Sequence, residues 1–245
     1  MVRVTDQPHP LSEAAAEVGE RLGETVREVR EVIAEAKPHL RGWLHAATAP
    51  LALAAGIVLV VLSPSTTTRL GSAIFAASAL ALFTASATMH RGRWGPRTAL
   101  WLRRLDHSSI FLLIAGSYTP FTLLLLHGSD RTELLCVAWG GALLGICFRL
   151  FWPGAPRWLY TPIYMALGWA AIFYLPEFFA QASTAVVILL ILGGVLYTIG
   201  GVVYGFKKPD PFPRWFGFHE VFHSLTILAF VTHYVGVSLA TYSLR

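Results

Sequence analysis

Residues 184–206 read TAVVILLILGGVLYTIGGVVYGF, a stretch without a single Asp, Glu, Lys or Arg. About 20 such residues cross a bilayer as a helix. Six more apolar runs of similar length surround it, at 44–63, 70–90, 106–126, 134–152, 158–179 and 218–240. Helices are the open-chain way to satisfy the backbone in lipid, so the pattern predicts an all-α bundle of seven transmembrane helices. The run at 158–179 carries Pro162 and Pro176, which predict a kink. Composition agrees: of 245 residues, 55% are hydrophobic and 13% charged, against about 25% charged in soluble domains.

The gaps between the runs set an orientation. With the N-terminus inside, the inner loops and helix ends hold Lys37, Arg41, Arg91, Arg93, Arg97, Arg103, Arg104, Arg149, Arg157, Lys207, Lys208 and Arg214. The outer side holds only Arg69, Arg131 and Arg245. This asymmetry predicts a cytosolic N-terminus and an outer C-terminus in a plasma membrane. The net charge of +5 is thereby a topology signal and not a nucleic-acid face. Cys136 and Cys147 share one apolar run. They stand roughly 16 Å apart on a helix, too far for a disulfide.

Residues 1–36 form a segment of different character, ahead of a membrane domain at 37–245. Glu13, Glu17, Glu20, Glu24, Glu28, Glu31 and Glu35 alternate with Val18, Leu22, Val26, Val29 and Ile33, so an amphipathic helix is expected there, ended by Pro38. It is acidic and lacks the apolar core of a signal peptide. A helix of this kind can pair with a second copy of the chain.

Chemistry gathers at the inner end. His90 closes the second run, Asp106 opens the third, and His219 and His223 open the seventh. Three helices therefore present these groups at one depth, where ionisable residues are costly and usually functional. His219 and His223 are four apart, on one helix face. Three imidazoles can hold one zinc and leave a fourth position for water. Asp106 could then take a proton from that water. The bland alternatives are hydrogen-bonded interfacial histidines and an Asp106 that caps its helix. His45, His127 and His233 are read as interfacial or hydrogen-bonded, and His107 as a neighbour at the start of its helix. The string His219-Glu220-Val221-Phe222-His223 has the form of a metalloprotease helix. The usual downstream third ligand is missing, however, since no acidic residue follows Glu220 and position 229 is Ala.

SATMH at 86–90, LDHSSIFLLIAGSYTPF at 105–121, ALGWAAIFYLP at 166–176 and FHEVFHSLTILAFVTHY at 218–234 resemble the hemolysin III branch of the progestin and adipoQ receptor family. The resemblance covers roughly residues 37–245. It implies zinc held by His90, His219 and His223, with Asp106 contacting the zinc-bound water and Ser86 as the serine of the motif. The wider superfamily includes zinc-dependent amide hydrolases of lipids, and its bacterial members are described as hemolysins or regulators of membrane lipid state. The first family motif departs: His45 fits its histidine, but Arg41 stands at the asparagine position and Lys37-Pro38 in the glutamate region. Three functions are therefore expected to compete: a zinc-dependent hydrolase of a lipid amide, a non-enzymatic membrane-state sensor or receptor with structural zinc, and a pore-forming cytolysin. The partners expected are membrane lipids.

Overall fold

A computed structural model describes residues 18–23 and 38–244, and the chain divides into two units, Met1–His39 and Leu40–Arg245. In the first unit residues 18–23 are helical, with Val18 and Leu22 exposed. The rest of the expected amphipathic helix, and any pairing through it, lies outside the described residues.

The second unit is helical throughout: α1 (Trp43–Val61), α2 (Thr66–Arg91), α3 (Pro96–Leu125), α4 (Gly128–Phe151), α5 (Arg157–Gly168), α6 (Leu175–Gln181), α7 (Thr184–Phe206) and α8 (Phe218–Tyr242). A 3₁₀ turn, Ala170–Tyr174, joins α5 to α6, and the three together make the fifth of seven apolar crossings. Outward faces carry Leu51, Leu144, Phe173 and Phe206, all more than two-thirds exposed. In water such a surface would aggregate; in lipid it is solvated.

Local sequence explains the helix ends. Ser65 and Thr68 start α2 with a reciprocal cap, the Ser65 Oγ accepting from Thr68 N at 3.2 Å and the Thr68 Oγ1 accepting from Ser65 N at 2.9 Å. Pro96 occupies the first turn of α3, where its missing N–H costs nothing. The fifth crossing runs on through Pro162 and breaks at the 3₁₀ turn Ala170–Tyr174, just before Pro176 in the first turn of α6, and Tyr118 of α3 repairs the break. The Tyr118 hydroxyl donates to the carbonyls of Leu167 (3.0 Å) and Gly168 (2.6 Å) and accepts from Ala171 N at 3.1 Å. Backbone groups freed at the break thus stay paired inside the bundle.

Six of the seven crossings both begin and end within about six residues of the runs read from sequence. The third begins much earlier, at Pro96 instead of position 106. Its 30 residues span roughly 45 Å, longer than the hydrocarbon core. Asp106 is therefore nearly three turns inside a helix and is no N-cap. Of its apolar stretch 72% is buried, against 17–50% for the other crossings, so α3 is the central stave of the bundle. It packs on α2, α4, α5, α6 and α8, while α8 also meets α1, α2 and α7 and closes the ring. Close approach depends on glycine: a Cβ on Gly116 of α3 would lie 2.0 Å from the Ser78 Oγ of α2, and one on Gly145 of α4 would lie 2.2 Å from the Phe111 ring.

Candidate metal centre

The last turn of α2, the third turn of α3 and the first two turns of α8 meet at the end of the bundle where α1 begins. His90 comes from α2, Asp106 from α3, and His219 and His223 from α8. The three histidines each offer a ring nitrogen, and these atoms all lie within 4.8 Å of one another. The Nε2 atoms of His90 and His219 are 3.1 Å apart. The Asp106 Oδ2 lies 3.9 Å from His90 Nε2. Ser86, one turn before His90 and 2% exposed, stands beside the Asp106 carboxyl. All five sequence-predicted site residues are thus brought together.

The donor set can be tested against a metal on geometry alone. Two nitrogens bound at about 2.0–2.1 Å to one tetrahedral ion lie roughly 3.3–3.4 Å apart. The His90–His219 spacing is close to that, and the third ring is within reach. His223 Nδ1 is buried with no hydrogen-bond partner among the described residues. Three imidazoles and one carboxylate suit a borderline cation such as zinc better than a hard one such as calcium.

Other side chains hold this constellation. His45 of α1 is 2% exposed and stacks on His223, with ring centroids 3.8 Å apart and planes at 14°. Phe83 also packs edge to face with the His45 ring, centroids 5.1 Å apart. His45 is therefore a wall of the site and not an interfacial residue. The main chain is tight here: a Cβ at Gly42, whose φ is +78°, would lie 2.7 Å from His90 Cβ. Any other residue at 42 would be strained and would push on a candidate ligand.

Glu220 does a different job from that of a metalloprotease base. It is fully buried; Oε1 accepts from Arg41 Nε at 3.0 Å and Oε2 accepts from Gly217 N at 2.9 Å. The carboxylate thus caps α8 and ties its first turn to the segment before α1. Arg41→Ala should lower the unfolding free energy by roughly 3 kcal/mol, because it leaves a buried carboxylate without its cation. The double change Arg41→Ala with Glu220→Gln should recover part of that loss. A thermal melt in detergent checks both, and an Arg41→Ala chain as stable as the wild type would remove the pair from the structural account.

The remaining histidines divide. His127 is exposed just before α4, as an interfacial histidine should be. His107 lies inside α3, not at its start, and its Nδ1 is bonded to the Arg149 guanidinium, which is 1% exposed and also donates to Pro153 O at 3.3 Å. His233 is buried far along α8. Neither Arg41–Glu220 nor His45–His223 was found from sequence. The available signal was position only, since Arg41 and His45 open the first crossing at the same end as the other groups.

A cavity of about 150 Å³ runs inward from this centre, an order of magnitude more than one water needs. His219, His223 and Asp106 line one end, and Trp169, Leu190 and His233 line the other. Between them the wall is mostly apolar, with Ile110, Ile114, Met165 and Phe222.

Residues 34–234 match the family described as "Haemolysin-III related". The chain is 38% identical over 154 residues to the "Hemolysin-3 homolog" of Bacillus subtilis (strain 168), covering 63% of this chain and 69% of that one. It is 30% identical over 192 residues to "Hemolysin-3" of Bacillus cereus, covering 77% and 84%. It is 32% identical over 151 residues to the "Adiponectin receptor protein" of Drosophila melanogaster, covering 55% of this chain and 34% of that one.

Proposed function

The chain belongs to the haemolysin-III related family, and we propose that it is a zinc-dependent membrane hydrolase that cleaves an amide bond in a lipid. One observation carries this reading. His219, His223 and Asp106 line one end of a largely apolar cavity, and the ring nitrogen of His90 lies within 4.8 Å of those of the other two histidines. A carboxylate beside three converging imidazoles is what hydrolysis needs, and the cavity is what a lipid needs.

His90, His219 and His223 would hold the ion, which when bound supplies Lewis acidity toward an amide carbonyl. The chain's own groups do the rest. The apolar wall of Ile110, Ile114, Met165 and Phe222 holds the acyl chain and excludes bulk water. Asp106 takes a proton from the attacking water and returns it to the departing amine nitrogen, so that one water and one amide become one acid and one amine. Ser86 holds the Asp106 carboxyl in place for both transfers. The proposal puts this end of the bundle in the cytosol, on the strength of the loop arginines. In a chain lacking Cys136 and Cys147, both free and exposed, a cysteine substituted at Gly95 should then escape an impermeant thiol reagent in intact cells, and labelling without lysis would overturn the orientation.

A second reading has its own support. The similarity to a protein called a receptor favours a sensor that binds a lipid without turning it over. One experiment separates them: zinc-loaded protein is placed in vesicles that hold an N-acyl lipid and an entrapped dye. Fatty acid released in a chelator-sensitive way supports the hydrolase. Lipid retained intact on the protein through many hours overturns it in favour of the sensor, and dye leakage without hydrolysis overturns it in favour of a cytolysin.

A further inference from the structure

The cavity ends in polar groups that amide cleavage at the histidines does not use. His233 of α8 is 6% exposed and lies ten residues beyond His223. Tyr197 of α7 lies seven residues before Tyr204, whose ring packs 5.8 Å from that of His219. The Tyr197 and His233 rings meet edge to face, with centroids 5.6 Å apart, and both line the cavity. At 1.5 Å per residue, seven and ten residues put this pair about 10–15 Å beyond the candidate metal centre.

The protonation of His233 follows from its neighbour. Its Nε2 lies 3.2 Å from the Leu190 carbonyl oxygen. A carbonyl only accepts, so Nε2 carries the hydrogen and Nδ1 of the neutral ring presents a lone pair. That Nδ1 has no partner among the described residues, and neither has the Tyr197 hydroxyl. Buried polar atoms are nearly always paired, so two orphans in touching side chains call for an explanation. The ring position is also built in: a Cβ at Gly193 of α7 would lie 2.2 Å from the His233 imidazole, so glycine there keeps a slot for it. Phe121 also meets the His233 ring edge to face, with centroids 5.9 Å apart.

We propose that Tyr197 and His233 form a second subsite, which takes a hydroxyl carried on the middle of the ligand's acyl chain. The ligand hydroxyl donates to His233 Nδ1 and accepts from the Tyr197 O–H, which completes both orphans. This rests on the reading of the cavity as an acyl-chain site. An extended chain advances about 1.2 Å per bond, so the hydroxyl belongs roughly 8–12 bonds from the group at the histidines.

The test uses the full-length, zinc-loaded protein in lipid nanodiscs and measures displacement of a labelled fatty acid. Three competitors are compared: plain octadecanoic acid, the acid hydroxylated near its tenth carbon, and the acid hydroxylated on its second carbon. The wild type should bind the mid-chain hydroxy acid about tenfold more tightly than the plain one, the effect of completing a buried hydrogen-bonded group. The near-isosteric Tyr197→Phe should weaken that preference several-fold, to the share carried by His233 Nδ1, and leave plain acid within about twofold, since the apolar wall is untouched. Equal binding of the plain and mid-chain acids by the wild type would overturn the subsite. A preference for the second-carbon hydroxyl, or a mid-chain preference undiminished in Tyr197→Phe, would overturn it too. If no acid displaces the label, the acyl-chain reading falls and the subsite with it. The three-acid comparison needs no variant, so it decides even if Tyr197→Phe does not fold.

Discussion

His223→Ala should leave the purified protein almost without zinc. His223 is 2% exposed, shares a helix face with His219, and is clamped by the stacked His45 ring. Its removal leaves two imidazoles and a cavity where the third stood, and two ligands do not close a tetrahedral shell. His219→Ala and His90→Ala should behave alike, because all three ring nitrogens lie within 4.8 Å. The loss should exceed the roughly 10–100-fold that changes beyond the directly bound ligands produce. Metal analysis of monodisperse wild-type and variant proteins decides the matter. One zinc per chain in all three histidine variants would end the case for the centre.

Asp106→Asn should separate metal binding from chemistry. The carboxylate sits 3.9 Å from His90 Nε2, at the edge of the three-nitrogen cluster and within reach of Ser86. An amide of the same shape fills the same space but takes up no proton. Zinc content should fall little, while release of fatty acid from an N-acyl lipid should fall by about 10²–10⁴-fold, the usual worth of a general base. Retained turnover would remove Asp106 from the reaction while leaving the histidines in place. Glu220 is a poor substitute base in that event, since both of its oxygens are already engaged, by Arg41 and by the α8 backbone.

The bundle is easy to read from sequence where lipid sets the rule. The sixth crossing begins at Thr184 and ends at Phe206 in both readings, because charge-free apolar residues run from one boundary to the other. The third crossing shows where that rule stops. Arg97, Arg103 and Arg104 lower its hydropathy, but a helix continues past the bilayer when its backbone is paired and a proline starts it. Reading the apolar run alone therefore put Asp106 at a helix start. The candidate ligands were legible because topology fixes depth and a four-residue step fixes a helix face. What surrounds them was not. His45 stacks on a residue of the last crossing, and Arg41 pairs with a carboxylate 179 residues away. No periodicity within a single helix carries such information.

That long separation has a bearing on how the protein is made. His90 and His219 are 129 residues apart, which at a ribosomal rate of about 5–20 residues per second is a delay of roughly 6–26 seconds. Through that delay the early crossings stand in the bilayer with His90 and Asp106 lacking the imidazoles of α8, and Arg41 lacking Glu220. Polar groups exposed in this way are what the bilayer penalises. A chain cut short before Phe218 keeps those groups without their α8 partners, so the pairing at this end of the bundle is completed only by the last crossing.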